Sequence, residues 1–251
     1  MRVSDGYRSL DHLEYLSLDA EALAAAAEAA LDRRVPGCPE WTVPDLVEHV
    51  GQIHRWVAAM VSTKATSRLD RERQPSAPKL ERQLMAWYRE GAGALLEVLK
   101  AAGEGTPVWN WSSEPQVSAF WDRRMAHETA IHRWDAQSAS RTPTDIVPEL
   151  AVDGIDELVT VFVPRYSKGS PDPADLGGTL GIACDDVPGE WLVRLAGTES
   201  TATRGSADGD AVVHGRASDV LLFLYNRVAV SRVAVRGDES IVQRWTTHVR
   251  W

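Results

Sequence analysis

Arg124-Met-Ala-His-Glu-Thr-Ala-Ile-His132 sets a carboxylate, Glu128, and an imidazole, His132, four residues apart. At about 100° per residue, positions i and i+4 share one side of a helix. The neighbours on that side are Val117, Trp121, Met125 and Ile131, with Arg124 and Asp135 among them. The face that carries the apolar residues therefore also carries Glu128 and His132. A helix that turns ionisable groups toward its core needs partners for them. A metal ion is one such partner, and His with Glu is a common ligand pair. An Arg124–Glu128 ion pair at i, i+4 is the other reading.

A second helix offers a third ligand. Thr42-Val-Pro-Asp45 reads as a capping box, with Thr42 as N-cap, Pro44 in the first turn and Asp45 as the third helical residue. Leu46, Ile53, Trp56 and Met60 then recur at helical spacing. His49 falls in the middle of that apolar stripe, and His54 projects toward a different side. A buried His on one helix and a Glu/His pair on another suit a three-ligand site inside a bundle. Three protein ligands leave coordination positions open, as in catalytic zinc sites. A core imidazole hydrogen-bonded to a carbonyl or carboxylate fits His49 as well, and spacing does not separate the two.

The whole chain bounds these readings. It has 251 residues, enough for one large domain or two ordinary ones, with 44% hydrophobic and 25% charged residues. This is the composition of a soluble globular protein. A net charge of −9 argues against nucleic acid or an anionic membrane as the main partner. The two cysteines, Cys38 and Cys184, form no C-x-x-C pattern, so a disulfide framework is not expected and a reducing cytoplasm is the default. The first residues, Met-Arg-Val-Ser-Asp-Gly, have no apolar core of a secretory signal. The alanine-rich run 20–31 is broken by Glu21 and Glu28 and does not read as a membrane span.

Residues 10–33, 42–63, 78–102 and 115–139 read as four helices, which suggests a bundle. Ser138-Ala-Ser-Arg-Thr-Pro-Thr144 is small, polar and broken by Pro143, and reads as a linker. We therefore expect one domain over residues 1–142 and another over 143–251. The second part begins with a helix near 148–163 and a Gly/Pro/Asp-rich loop over 167–178. Short strands follow at 179–184, 190–196, 202–204 and 211–214, then a helix at 217–229, a strand at 233–236 and a terminal helix from 239 to about 249. This is an α+β pattern with a small, mostly antiparallel sheet.

Three stretches resemble the mycothiol-dependent maleylpyruvate isomerase family. Val35-Pro-Gly-Cys-Pro-Glu-Trp-Thr-Val-Pro-Asp-Leu-Val-Glu-His49 is similar to its proline/tryptophan entry into a first metal-ligand helix. The run from Arg124 through His132 to Asp135 is similar to its second ligand helix. Ala217-Ser-Asp-Val-Leu-Leu-Phe-Leu-Tyr-Asn-Arg227, a common leucine-rich pattern, is similar to a helix that carries an arginine. The resemblance implies a DinB-like four-helix bundle followed by an SCP2-like α+β domain. It implies His49, Glu128 and His132 as ligands of a divalent metal, usually zinc. It also implies Arg227 as a catalytic or substrate-binding group. An ordinary ion-pair role for Arg227 stays equally open. The cosubstrate implied is a low-molecular-weight thiol, mycothiol, and the partner a small electrophile.

The residues themselves are consistent with an external thiol. No G-x-S-x-G or phosphate-binding glycine loop is present, and Cys38 reads as a packing residue. A metal with an open position can deprotonate a thiol, which is otherwise a poor nucleophile at neutral pH. The thiolate then adds to a double bond conjugated with a carbonyl, the resulting single bond rotates, and elimination releases the trans isomer. S-transfer to other electrophiles, a zinc hydrolase and a non-enzymatic binder of apolar ligands are the alternatives. His127 projects off the ligand face. Asp135 returns to it and can orient a ligand imidazole, or pair with Arg124. Monomer and weak dimer both remain open.

Overall fold

The computed structural model describes residues 10–71, 75–165 and 175–248. The chain divides into two compact units, Met1–Thr144 and Asp145–Trp251.

The first unit is built on four long helices: α1 (His12–Glu28), α2 (Val43–Ser62), α3 (Glu81–Ala102) and α4 (Ser118–Ser140). Asp11 starts α1 by accepting the Glu14 amide at 3.0 Å. α1 then stops at Glu28, short of the expected 33, because the chain turns into a two-stranded antiparallel ribbon. Its strands are β1 (Arg34–Val35) and β2 (Cys38–Thr42). This ribbon was not expected from the sequence. Its last residue also caps α2. The Asp45 amide donates to Thr42 Oγ1 at 3.3 Å, and the Thr42 amide to Asp45 Oδ2 at 2.8 Å, closing the capping box. The start of α2 is thereby tied to the ribbon.

Leu23, Val43, Leu46, Val50, Leu84, Tyr88 and Ala136 meet in the core of this unit. A fully buried Leu or Val there contributes roughly 1.5–3 kcal/mol. A second group of rings closes the other end. Trp56 meets Trp121 edge-on at 5.4 Å, and Phe120 meets Trp111 at 5.3 Å. Trp121 Nε1 donates to the Trp109 carbonyl at 2.9 Å. α4 differs from the amphipathic helix expected. Ala126, Thr129, Ala130 and Arg133 are buried as well as Trp121, Met125 and Ile131, so α4 is covered on nearly every side.

The second unit opens with α5 (Pro148–Glu157), which runs on through a π-helical turn, Leu158–Phe162. Its sheet has the order β5-β4-β3-β6-β7, with β3 (Asp175–Cys184), β4 (Glu190–Ala196), β5 (Thr201–Arg204), β6 (Ala211–Gly215) and β7 (Ala234–Gly237). Only the β3–β6 pair is parallel. Along the strands burial alternates: Leu180, Ile182, Trp191, Val193, Ala211 and Val213 are buried. β3 and β6 pack with α6 (Ala217–Leu224) and α7 (Glu239–His248), and Trp191 Nε1 of β4 donates to Asp156 of α5 at 3.0 Å. Two bounds differ from expectation. β3 begins at Asp175, inside the stretch read as a loop; residues 167–174 of that stretch lie outside the described residues. α6 ends at Leu224 rather than 229 because Asn226 takes a left-handed conformation, φ 59°. The Arg227 amide then donates back to the Leu222 carbonyl at 2.8 Å.

Among the described residues, no helix is long and apolar enough to cross a membrane.

Candidate metal centre

α2 and α4 bring His49, Glu128 and His132 together. Each offers one ligand atom, and these atoms lie within 4.8 Å of one another. Glu128 Oε1 is 3.3 Å from His49 Nε2 and 3.4 Å from His132 Nε2. The two imidazole centroids are 5.1 Å apart, with the rings nearly perpendicular.

The neighbours of these groups fix their orientation. His132 Nδ1 donates to Asp135 Oδ2 at 3.0 Å, and Asp135 is fully buried. With its Nδ1 proton held there, the ring presents Nε2 to the cluster. Arg124 donates to Glu128 Oε2, leaving Oε1 as the oxygen that faces the histidines. Asp135 thus pairs with the imidazole. Trp41, carried in by β2, packs on His49 with centroids 4.6 Å apart, and its ring lies 6.1 Å from that of His132.

Electrostatics follow from these contacts. Burial works to raise the Glu128 carboxyl, but Arg124, His132 and His49 outweigh it and hold it well below the usual carboxylate range. Burial works to lower His132. Its hydrogen bonds with Asp135 and Glu128 prevail and push it up to about 9. The ion-pair reading of Arg124 and Glu128 is thus realised together with the clustering, and one does not displace the other.

The donor set fits a divalent ion. A tetrahedral site with bonds of about 2.0–2.1 Å has ligand–ligand edges of roughly 3.3–3.4 Å, 1.63 times the bond length. Both carboxylate–imidazole separations match that edge. A carboxylate between two imidazoles, one of them backed by a buried aspartate, is the chemistry a zinc-like ion selects.

Other sequence candidates fall elsewhere. His49 lies at the edge of its stripe rather than in the middle, with a third of its side chain exposed. His54 is fully buried and shares a 2.9 Å hydrogen bond with Thr129 Oγ1. Burial drives it down to about 4, so it is neutral at pH 7. His127 is off the ligand face, as expected, but buried, meeting His12 edge-on at 5.9 Å. Arg227 belongs to the second unit, just past α6, where its Nη1 donates to the Tyr225 carbonyl at 3.0 Å. Cys38 and Cys184 are not bonded to each other, and burial, with Asp186 and Asp185, pushes the Cys184 thiol up to about 12. Neither helix periodicity nor spacing pointed to Trp41 as the ring against His49. Its place next to the Thr42 cap was the available signal.

Comparison with known proteins adds the family. Residues 19–137 match the model of the mycothiol maleylpyruvate isomerase N-terminal domain, and residues 149–244 that of the MDMPI C-terminal domain. An uncharacterized protein found in two strains of Mycobacterium tuberculosis is 25% identical over 139 residues, which cover 53% of this chain and 69% of the relative. The crystal structure of a mycothiol-dependent maleylpyruvate isomerase superposes with a TM-score of 0.56 at 12% identity, covering 89% of this chain and 91% of that one. A histidine-to-alanine mutant of that isomerase gives 0.55 over the same coverage. At such low identity the superposition speaks for the fold, α+β with a helical first part. The two domain models, in order and together spanning most of the sequence, carry the rest: the chain belongs to the mycothiol-dependent maleylpyruvate isomerase family.

Proposed function

We propose that this protein is a metal-dependent enzyme that activates a low-molecular-weight thiol, mycothiol, for attack on a small electrophile. Cis–trans isomerisation of maleylpyruvate or a similar diacid is the reaction we put first, and S-transfer the second. The observation that carries the reading is the convergence of His49, Glu128 and His132, with both carboxylate–imidazole separations near a tetrahedral edge and Asp135 behind one imidazole. Domain order and family membership support it.

The roles follow from the contacts. His49, Glu128 and His132 would hold the ion. A bound divalent ion supplies a Lewis acid that favours the thiolate form of a thiol at neutral pH. Glu128 contributes one negative charge, kept ionised by Arg124. Two neutral imidazoles and one carboxylate would leave about one unit of positive charge on a divalent site, enough to favour a thiolate over its neutral thiol. Asp135 keeps His132 in the tautomer whose Nε2 lone pair is available. The chain's own Cys184 is a poor nucleophile, since burial keeps its thiol protonated. A diacid needs a cation, and Arg suits bidentate carboxylate recognition. Arg227 is the residue we assign to that role.

The test is metal analysis of the purified protein, followed by turnover of maleylpyruvate with and without mycothiol. We expect turnover only with both metal and thiol. His49→Ala should lose both metal and activity. Thiol-dependent turnover that survived loss of His49 would overturn the mechanism, and turnover without thiol would favour a hydrolase.

A further inference from the structure

Glu40, Trp41, Asp45, Glu48, His49 and Gln52 line an open depression of about 510 Å³ on the first unit. His49 links it to the ligand cluster. Its Nε2 faces Glu128, while a third of its side chain stays exposed. The rest of the lining has two characters. Trp41 supplies an aromatic wall, already braced against the His49 ring. The other groups are carboxylates of one sign and the Gln52 amide, whose Nε2 donates to Glu48 Oε1 at 3.3 Å. Hydrogen bonds from Thr42 hold Asp45 below the usual carboxylate range, so it is charged at neutral pH. No Lys or Arg lines the depression. Arg34 acts on Asp45 from nearby, but its Nη1 donates to the Pro39 carbonyl at 3.2 Å.

These groups define a ligand class. Ionised carboxylates only accept hydrogen bonds, so they suit a group rich in hydroxyl donors. The primary amide both donates and accepts. The indole offers apolar surface to the C–H face of a saturated ring. A second anion placed here would meet three carboxylates and be repelled. We propose that this depression seats the uncharged polyol part of the thiol, and that Glu40 and Glu48 discriminate against anionic thiols such as glutathione. The proposal rests on the reading that the adjoining cluster activates a thiol.

Two measurements on the full chain keep the two ideas apart. Saturation-transfer NMR of metal-stripped protein, with methyl α-glucopyranoside and myo-inositol as neutral probes and gluconate as the anionic one, needs neither metal nor turnover. The neutral probes should show transfer and gluconate should not. Glu40 and Glu48 are exposed, so Glu40→Gln and Glu48→Gln can be made without disturbing the core. In the metal-loaded protein, each should shift the ratio of kcat/KM for glutathione over mycothiol upward by about five-fold at low salt. That is the upper size of an exposed pairwise charge interaction, and the gain should shrink in 0.5 M salt as the charges are screened. Absence of transfer to either neutral probe, transfer to gluconate equal to theirs, or an unmoved ratio in the double variant would overturn the proposal while leaving thiol activation standing. Transfer to the neutral probes that is lost in the double variant, with no thiol turnover at all, would support the polyol site and sink the activation reading.

Discussion

α4 in the first unit and α6 in the second are both buried helices, and they are built on opposite principles. α6 buries Val220, Leu221, Leu222, Phe223 and Leu224 in succession, and its polar groups are settled locally. Ser218 Oγ accepts the Ile146 amide at 3.0 Å, and Asp219 takes the Arg232 guanidinium. α4 buries Asp122, Arg124, His127, Thr129, His132, Arg133 and Asp135. Burying so many polar groups costs free energy unless each is paired. Arg133 is paired by complement: its guanidinium donates to Asp19, Gln137 and Thr144 at 2.7–3.0 Å, all acceptors. The Glu128–His132 part is also paired, with Arg124 on the carboxylate and Asp135 on the imidazole, but it adds a convergence. Two imidazole nitrogens and one carboxylate oxygen from two helices lie within 4.8 Å of one another, the convergence on which the proposed ion site rests. On the proposed function, the contrast separates buried polarity that serves the fold from buried polarity that serves chemistry.

Substitution in the two helices should separate these uses. Glu128→Ala removes a proposed ligand and leaves Arg124 buried without its carboxylate. We expect about 3–5 kcal/mol of lost stability together with loss of the metal. Leu222→Ala in α6 should cost a similar ~2–5 kcal/mol through its cavity and leave metal content unchanged. Urea denaturation with metal analysis of both variants checks this. Retention of metal by Glu128→Ala would erase the distinction.

Asp135→Asn tests the group behind His132. Outer-shell partners of this kind are worth about 10–100-fold in metal affinity, and we expect a loss of that size by chelator competition. An affinity equal to wild type would reduce Asp135 to a packing role. Arg227→Met tests the second unit's share of the chemistry. It should leave metal content intact and lower kcat/KM for a diacid by about ten-fold, the size of one charge-assisted hydrogen bond. An uncharged electrophile should be affected much less. Equal losses on both substrates would argue for a structural arginine.

A further effect is in pH. His132 in the metal-free protein is raised to about 9 from an ordinary 6.5. A raised histidine contributes stability that is fully present below pH 6.5 and is lost as pH rises through about 9. Metal binding must displace that proton, so affinity should rise over the same window, by no more than ten-fold per pH unit. Calorimetric titrations at pH 6.5, 7.5 and 8.5 in buffers of different ionisation enthalpy would detect the released proton. A flat profile with no proton release would place the metal away from His132.

Much of the first unit could be read before the structure, because its signals are local. The Thr42–Asp45 box marks the start of α2 to the residue, and four long helical patterns correspond to four helices. The α+β texture after residue 145 followed from short strand-like runs such as 179–184 between helical ones. What was missed depends on contacts beyond the window of a pattern. The ribbon of β1 and β2 is too short to show alternation, and it is fastened by the Val43 amide donating to the Arg33 carbonyl at 2.9 Å. α6 could not be ended at Leu224 by periodicity, since apolar residues continue past it; the left-handed Asn226 decides. For the site, the i, i+4 spacing of Glu128 and His132 marked a shared face. The Asp135–His132 and Arg124–Glu128 contacts lie at i, i+3 and i, i+4 on the same helix and were legible as candidate pairs, whereas the lean of Trp41 on His49 is a tertiary fact with no periodic signature.

The central claim, that His49, Glu128 and His132 hold one divalent ion, is tested most directly by metal stoichiometry. Wild-type protein and the His49→Ala, Glu128→Gln and His132→Ala variants would be purified without chelator, checked for native helicity by circular dichroism, and analysed by mass spectrometry for metal. We predict one divalent ion per wild-type chain and a loss of it in each of the three variants with the fold retained. Full metal content in any folded single variant, or a metal-free wild type that takes up no zinc on titration, would contradict the account.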